Sequence, residues 1–244
     1  STMRTIDNMR DIYANTLIFN EGLTTLKGRV SLVSDNKPIE VVFPSTITTF
    51  TVSSCTRFSR VEFKFPVTAL TLLEGARSIY GFWSYYDTVI EDSANIVIPA
   101  SWTTLPGELY NLSTIKIITI PTNVTALGPR SLFVESPVLE SIYIHDNVTS
   151  IDKNTFIYST SLVGGTVSDL SKVRFPTGIT ELPNFRPASG LTNITMPSTI
   201  TKVNGLGMAI NDPVLQIPSH VTDLSTLTYR GSKITSMDQV HIPD

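Results

Sequence analysis

Apolar and polar residues alternate in a short phrase that returns along the whole chain. The stretch ITIPTNVTAL at residues 118–127 has close variants in IYIHDNVTSI (142–151), VRFPTGITEL (173–182) and LQIPSHVTDL (215–224). Apolar residues with a period of two predict a short strand that turns two side chains to the core and those between them to solvent. The strand ends at what we call the proline position, since proline cannot donate a ladder hydrogen bond. The proline positions are Asn20, Pro44, Lys64, Pro99, Pro121, His145, Pro176, Pro197, Pro218 and Pro243.

These copies recur every 20 to 35 residues, a spacing that indicates a solenoid. Lys64 rather than Pro66 takes the third proline position, because only Lys64 brings Val61 and Phe63 into register. Apolar residues three and six positions later are predicted to turn the corner and line the next side of the core. No single copy can bury its apolar face alone, so the predicted fold is a β-rich solenoid with one long parallel sheet and about ten repeats.

Threonine stands four residues after the proline position in every complete copy. When strands stack about 4.8 Å apart, each of these hydroxyls can reach a neighbouring hydroxyl or a corner carbonyl. The pattern therefore predicts a structural threonine row along one corner. Its members are Thr24, Thr48, Thr68, Thr103, Thr125, Thr149, Thr180, Thr201 and Thr222.

The two ends of the chain differ from the repeat. Met3, Ile6, Met9 and Tyr13 recur at a near-helical spacing, so residues 1–14 are interpreted as an N-terminal cap and residues 15–244 as the solenoid. The last copy stops behind its strand at Asp244. We expect that apolar edge to meet a further domain or to self-associate.

Composition narrows the class of protein. Charged residues make up 16% of the chain and the net charge is −3, which argues against nucleic acid as a partner. No apolar run is long enough for a membrane span, and the chain contains no signal peptide. Cys55 is the single cysteine, so it predicts neither an internal disulfide nor a thiolate metal cluster and is interpreted as a core residue.

Residues for catalysis are scattered. The histidines, His145, His220 and His241, belong to separate copies, too far apart for a metal site or a shared catalytic centre. The chain carries no phosphate loop and no hydrolase or metalloprotease motif. We therefore expect no enzymatic activity, no metal and no cofactor.

Two intervals are longer than the repeat, at about residues 71–92 and 162–170. The first contains SIYGFWSYYD, whose aromatic side chains could stack on a sugar or anchor a partner protein. Alternatively, they could fold back as a hydrophobic plug. The second contains Gly164 and Gly165 and is interpreted as a loop or hairpin leaving the sheet. The aromatic candidates are Tyr80, Phe82, Trp83, Tyr85 and Tyr86.

The outward positions of the sheet supply one more candidate. Tyr143 is predicted to stand beside Lys172 and Arg174, a combination of an aromatic ring and cations that could meet an acidic partner. The alternative is that these are ordinary solvated strand positions.

The repeat resembles the BspA-like, bacterial surface-antigen type of leucine-rich repeat. Its fullest match is LESIYIHDNVTSIDKNTFIYSTSL, residues 139–162. The resemblance implies a right-handed, slightly curved solenoid that is secreted or displayed at the cell surface and binds a protein or glycan, as adhesins do. The alternative is a structural or receptor-binding module of a larger assembly such as a virion surface.

Overall fold

The computed structural model describes residues 3–33, 39–54, 58–66, 89–107, 109–110, 114–132, 138–156, 170–184, 197–204, 215–224 and 235–242. Short strands that pair only in parallel dominate this part of the chain. They form two faces, which we call the first and second face. The predicted parallel β-solenoid is confirmed.

The first face contains the strands that precede the proline positions. Its strands are β2 (Thr16–Ile18), β4 (Ile39–Phe43), β6 (Phe58–Phe63), β7 (Ile96–Val97), β9 (Ile117–Thr119), β11 (Ser141–Tyr143), β13 (Val173–Arg174), β16 (Leu215–Gln216) and β17 (Val240–His241). The register is the one predicted from the sequence, since Val41 pairs with Val61 and Ile118 pairs with Ile142. Pairing of Val61 with Ile96 confirms Lys64 at the third proline position.

The second face begins at the corner behind each threonine. Its strands are β1 (Thr5–Tyr13), β3 (Thr25–Val33), β5 (Thr49–Ser54), β8 (Thr104–Leu105), β10 (Ala126–Leu127), β12 (Ser150–Ile151), β14 (Glu181–Leu182) and β15 (Lys202–Val203). The sequence predicted only a corner here, because the apolar positions on this side do not alternate. Across the described residues each face is divided into shorter sheets rather than running as one sheet.

The structure of residues 5–13 also differs from the one that their periodicity suggests. Their near-helical spacing is not realised, and they form strand β1, which pairs in parallel with β3. The backbone turns left-handed at Asn8 (φ 56°) and again at Gly28 (φ 81°), so the two strands share an irregularity. A Cβ on Gly28 would lie 2.5 Å from the Asn8 side-chain oxygen, so any other residue would have to displace Asn8 and would be strained by the positive φ. The division into cap and solenoid stays a prediction.

The threonine row holds consecutive coils together at the corner. The backbone amides of Thr48, Thr125 and Thr149 donate to the carbonyls of Thr24, Thr103 and Thr125 in the preceding coils, at 2.9 to 3.0 Å. The hydroxyls of Thr48 and Thr201 donate to the corner carbonyls of Thr24 and Thr180. The sequence predicted either a neighbouring hydroxyl or a corner carbonyl as the partner of each hydroxyl, and these two hydroxyls bond to the corner carbonyl.

Apolar side chains from both faces fill the space between them. Phe19, Phe43, Phe63 and Trp102 stack in sequence with ring centroids 5.3 to 5.6 Å apart. The buried Trp102 indole nitrogen donates to the carbonyl of Phe65 at 2.8 Å. Further along, Ile118, Ile120, Ile142 and Ile144 are buried and continue the core. This core fixes the strands of the first face, so the outward side chains have defined positions.

Candidate functional site

The candidate site lies on the outer surface of the sheet β9–β11–β13. Tyr143 pairs with Thr119 on one side and with Arg174 on the other. Ser141 pairs with Ile117 in the same way. Tyr143 is 45% exposed and Ile117 is 37% exposed. We call the surface formed by Ile117, Thr119, Ser141, Tyr143, Lys172 and Arg174 the Tyr143 face.

Arg174 is held by three contacts. Its guanidinium carbon lies 4.9 Å from the centroid of the Tyr143 ring. One terminal nitrogen donates to the Ile144 carbonyl, and the other is 2.8 Å from a carboxylate oxygen of Asp146. The stacked cation therefore has a fixed orientation, and it restricts the Tyr143 ring in turn.

Asp146 is the anion behind this arrangement. Its second carboxylate oxygen accepts hydrogen bonds from the Thr177 backbone amide at 2.8 Å and from the Thr177 hydroxyl at 3.1 Å. The hydrogen bond from Arg174, followed by that from the Thr177 amide, lowers the pKa of Asp146 to about 2. Asp146 is thus ionised at neutral pH and balances the charge of Arg174.

Lys172 is also bonded within the protein. Its ammonium donates to the Leu139 carbonyl at 2.9 Å. Lys116, at the entry to β9, forms an ion pair with Glu91 at 2.9 Å. The cations that suggested an acidic partner are therefore already engaged by groups of the chain itself. Neither the sequence spacing nor the outward pattern indicated these partners.

The sheet ends at β9 in an unusual way. In the preceding coil, a 3-10 turn at Ser93–Asn95 lies beside β9, and only Asp92 forms a bridge with Ile117. The buried Ser93 hydroxyl accepts from the Thr119 amide at 2.7 Å and donates to the Thr119 carbonyl at 3.1 Å. Ser93 thereby satisfies the backbone of Thr119 where a paired strand would otherwise do so. The sequence analysis missed this residue, since serine in a polar segment carries no distinguishing signal.

The aromatic candidates Tyr80, Phe82, Trp83, Tyr85 and Tyr86 lie outside the described residues. So do Gly164, Gly165 and Cys55.

Two of the three histidines make structural contacts. The backbone amide of Asn147 donates to Nδ1 of the buried His145 ring at 3.1 Å. Nε2 of this ring therefore carries the proton, and it donates to the Pro121 carbonyl at 2.8 Å. A ring nitrogen of His220 lies 3.1 Å from the Pro197 carbonyl. Both rings thus bond to the preceding coil.

Metal ligands do not gather in the part of the chain that the structure describes: no group of three histidine, cysteine, aspartate or glutamate side chains could hold an ion there. Over the same residues, no helix has the length and apolar character needed to cross a membrane.

The fold agrees with a comparison against protein families. A family model described as a BspA type leucine-rich repeat region, with six copies, matches residues 40–163. The chain belongs to this family. Six copies are matched, which supports a count of roughly five to six repeats, and the count of about ten stays a prediction. No curated protein and no solved structure matched the chain.

Membership of this family carries a general expectation about function. Its members are typically surface-associated bacterial proteins and non-enzymatic, protein-binding repeat modules.

Proposed function

We propose that the protein is a non-enzymatic extracellular or cell-surface module that recognises a protein or glycan, and that the Tyr143 face is its contact surface. The observation that carries this proposal is an exposed aromatic ring held in place by a stacked arginine on a rigid sheet. The aromatic insertion with Tyr80, Phe82, Trp83, Tyr85 and Tyr86 is proposed as a second contact surface.

A ring in this position suits binding for two reasons. Aromatic side chains offer a large contact area and lose little rotamer entropy when a ligand binds. Here the Arg174 contact has already restricted the ring, so ordering it on binding costs less still. The strands beneath it are fixed by the buried Ile142 and Ile144. The surface is therefore preorganised.

The test is a glycan and protein array probed with the purified protein. Tyr143→Ala should weaken binding to the ligands found by about tenfold or more, as for a central aromatic contact. The matched control is Tyr13→Ala, because Tyr13 is an exposed strand tyrosine on the second face, 67% exposed. Both variants should keep the melting temperature of the wild type.

Equal ligand binding by Tyr143→Ala and Tyr13→Ala would show that Tyr143 is not part of the contact surface. Failure of the wild type to bind any glycan or protein would contradict the proposal and favour the structural module of a larger assembly.

A further inference from the structure

The Tyr143 ring is 45% exposed, and Arg174 is the one described residue in ring or cation contact with it, so we take one face of the ring as open. Arg174, on the strand that follows, covers the other face of the ring. The open face is therefore directed towards β9, where the neighbour in register is Thr119. Threonine is much shorter than tyrosine, so a slot is left above Thr119. We call it the Thr119 slot.

The dimensions of the Thr119 slot suit one flat ring. Neighbouring strands lie about 4.8 Å apart. A ligand ring in van der Waals contact with Tyr143 sits about 4 Å from it and so lies directly above Thr119. Beyond Thr119 the surface continues into the 3-10 turn that contains Ser93, not into another paired strand.

Hydroxyl groups surround the Thr119 slot. The hydroxyls of Thr119, Ser141 and Tyr143 form no hydrogen bond with any residue that the structure describes, and Thr119 and Tyr143 are exposed. Each can both donate and accept. The nearby Ile117 adds an exposed apolar side chain on the same surface. An aromatic face with hydroxyls around it matches a sugar ring, which has an apolar C–H face and hydroxyls at its edge.

The ion pair beside the Tyr143 ring favours an uncharged ligand at the ring itself. Asp146 neutralises Arg174, the cation stacked on Tyr143, whereas Lys172 keeps its charge while its ammonium donates to the Leu139 carbonyl. An acidic group approaching Arg174 would compete with a carboxylate that is already in place at 2.8 Å and would be repelled by it.

We propose that the Thr119 slot binds one pyranose ring of an uncharged glycan, stacked on the open face of Tyr143 and hydrogen-bonded to the hydroxyls of Thr119 and Ser141. This inference rests on the proposed function and narrows its ligand. A protein ligand is less well matched, because stable protein interfaces bury about 800 Å² on each partner and this slot accommodates a single ring.

The probes are neutral oligosaccharides ending in glucose, galactose, mannose or N-acetylglucosamine, with sialylated and sulfated versions of the same chains. We expect the wild type to bind at least one neutral oligosaccharide more tightly than its acidic version. Thr119→Phe should weaken this binding by about tenfold or more by filling the slot, whereas Thr119→Ser should preserve it. Tyr143→Phe keeps the ring and should lose no more than a few-fold in affinity.

Asp146→Asn tests the charge argument separately. It leaves Arg174 without its anion, so the preference should shift towards the sulfated and sialylated chains. The melting temperature of each variant shows whether the solenoid is intact. If Thr119→Phe does not fold, Thr119→Gln fills the slot with a flexible side chain.

The outcomes separate the two proposals. Loss of binding in Tyr143→Ala with full binding in a folded Thr119→Phe would overturn the slot and leave the Tyr143 face as the contact surface. If the protein bound only proteins, or bound acidic glycans in preference to neutral ones, the assignment of an uncharged glycan as the ligand would be wrong. Unchanged binding in Tyr143→Ala would overturn both.

Discussion

Asp146 organises the Tyr143 face, although it lies outside the strands. Its hydrogen bond with Arg174 lowers its folded-state pKa from 3.8 to about 2. A carboxylate whose pKa is lower in the folded state stabilises the fold above its unfolded pKa and loses that effect as the pH falls through the folded pKa. The contribution of Asp146 is therefore complete at neutral pH and disappears between about pH 4 and pH 2.

Asp146→Asn should consequently lower the melting temperature slightly at neutral pH, since exposed ion pairs contribute little. The difference from the wild type should shrink as the pH falls from about 4 to about 2. Thermal unfolding over this pH range measures it. The control is Glu40→Gln, because Glu40 is exposed on β4 of the same face. A difference that stays constant down to pH 2 would contradict this role of Asp146.

A substitution at Ile144 tests the register that places this side chain in the core. Its side chain is fully buried beneath the site. Ile144→Asp would bury an unpaired charge, and we expect it to cost about 4 kcal/mol or more in the free energy of unfolding. The control Ser150→Asp introduces the same charge at an exposed position in the next strand of the same coil. Denaturant unfolding compares them, and equal stabilities would show that the register is wrong.

Residue positions followed from the sequence to different extents. Alignment of the copies was enough to predict that Ile144 faces inward and Tyr143 outward, because a period of two fixes both. The contacts of Asp146 with Arg174 and of Ser93 with Thr119 were not predicted. They depend on how far a side chain reaches between coils and on how neighbouring coils are offset. The repeat pattern contains neither quantity.

At the scale of elements, the copies are less uniform than their sequence suggests. The 3-10 turns at Ser93–Asn95, Leu170–Lys172 and Met237–Gln239 each lead directly into a first-face strand. Local polar contacts build them: Asp92 accepts from the Ala94 amide, and Ser236 with Gln239 forms a capping box. These turns follow capping chemistry, not hydrophobic periodicity, and the search for apolar spacing passed over them.

The aromatic insertion gives a prediction for an element outside the described residues. If it is a contact surface, Trp83→Ala combined with Tyr85→Ala should abolish ligand binding and cost little stability, because side chains beyond the core are removed. If it is a plug, the same variant should lose several degrees in melting temperature and keep its ligand. Array binding and thermal unfolding of one preparation distinguish the two, with Tyr13→Ala as the control.

At the scale of the whole molecule, the two faces are interrupted at different junctions among the described residues. Between the copies with Lys64 and Pro99, β6 pairs with β7 on the first face. Between the copies with Pro99 and Pro121, β8 pairs with β10 on the second face. The described residues of the first face form no paired strands at this junction, which is joined instead by the Asp92 bridge, by the Lys116 and Ile117 amides that donate to the Glu91 carbonyl, and by the Ser93 bonds. In a solenoid each coil contacts only its neighbours. These junctions therefore determine whether the coils before Pro99 and the coils after Pro121 unfold together.

Asn123 and Asn147 occupy the same position in consecutive copies and allow this to be tested. The side-chain amide of Asn123 donates to the carbonyls of Trp102 at 2.8 Å and Pro99 at 3.3 Å, across the junction where the first face has an isolated bridge instead of paired strands. The side-chain amide of Asn147 is exposed and donates to the Thr122 carbonyl alone. It does so across a junction where strands pair on both faces.

Asn123→Ala should therefore destabilise the protein by about 1 to 2 kcal/mol, because the partly buried Trp102 carbonyl loses this donor, while the Pro99 carbonyl keeps the Trp102 backbone amide. Asn147→Ala should cost less than about 0.5 kcal/mol, as exposed substitutions usually do. Native-state hydrogen exchange should also show that Asn123→Ala lets the strands around Val61 and those around Ile142 open with different free energies, while Asn147→Ala leaves them coupled. Equal effects of the two substitutions, or joint opening of both regions in Asn123→Ala, would show that the Asn123 contacts are not what couples the two regions.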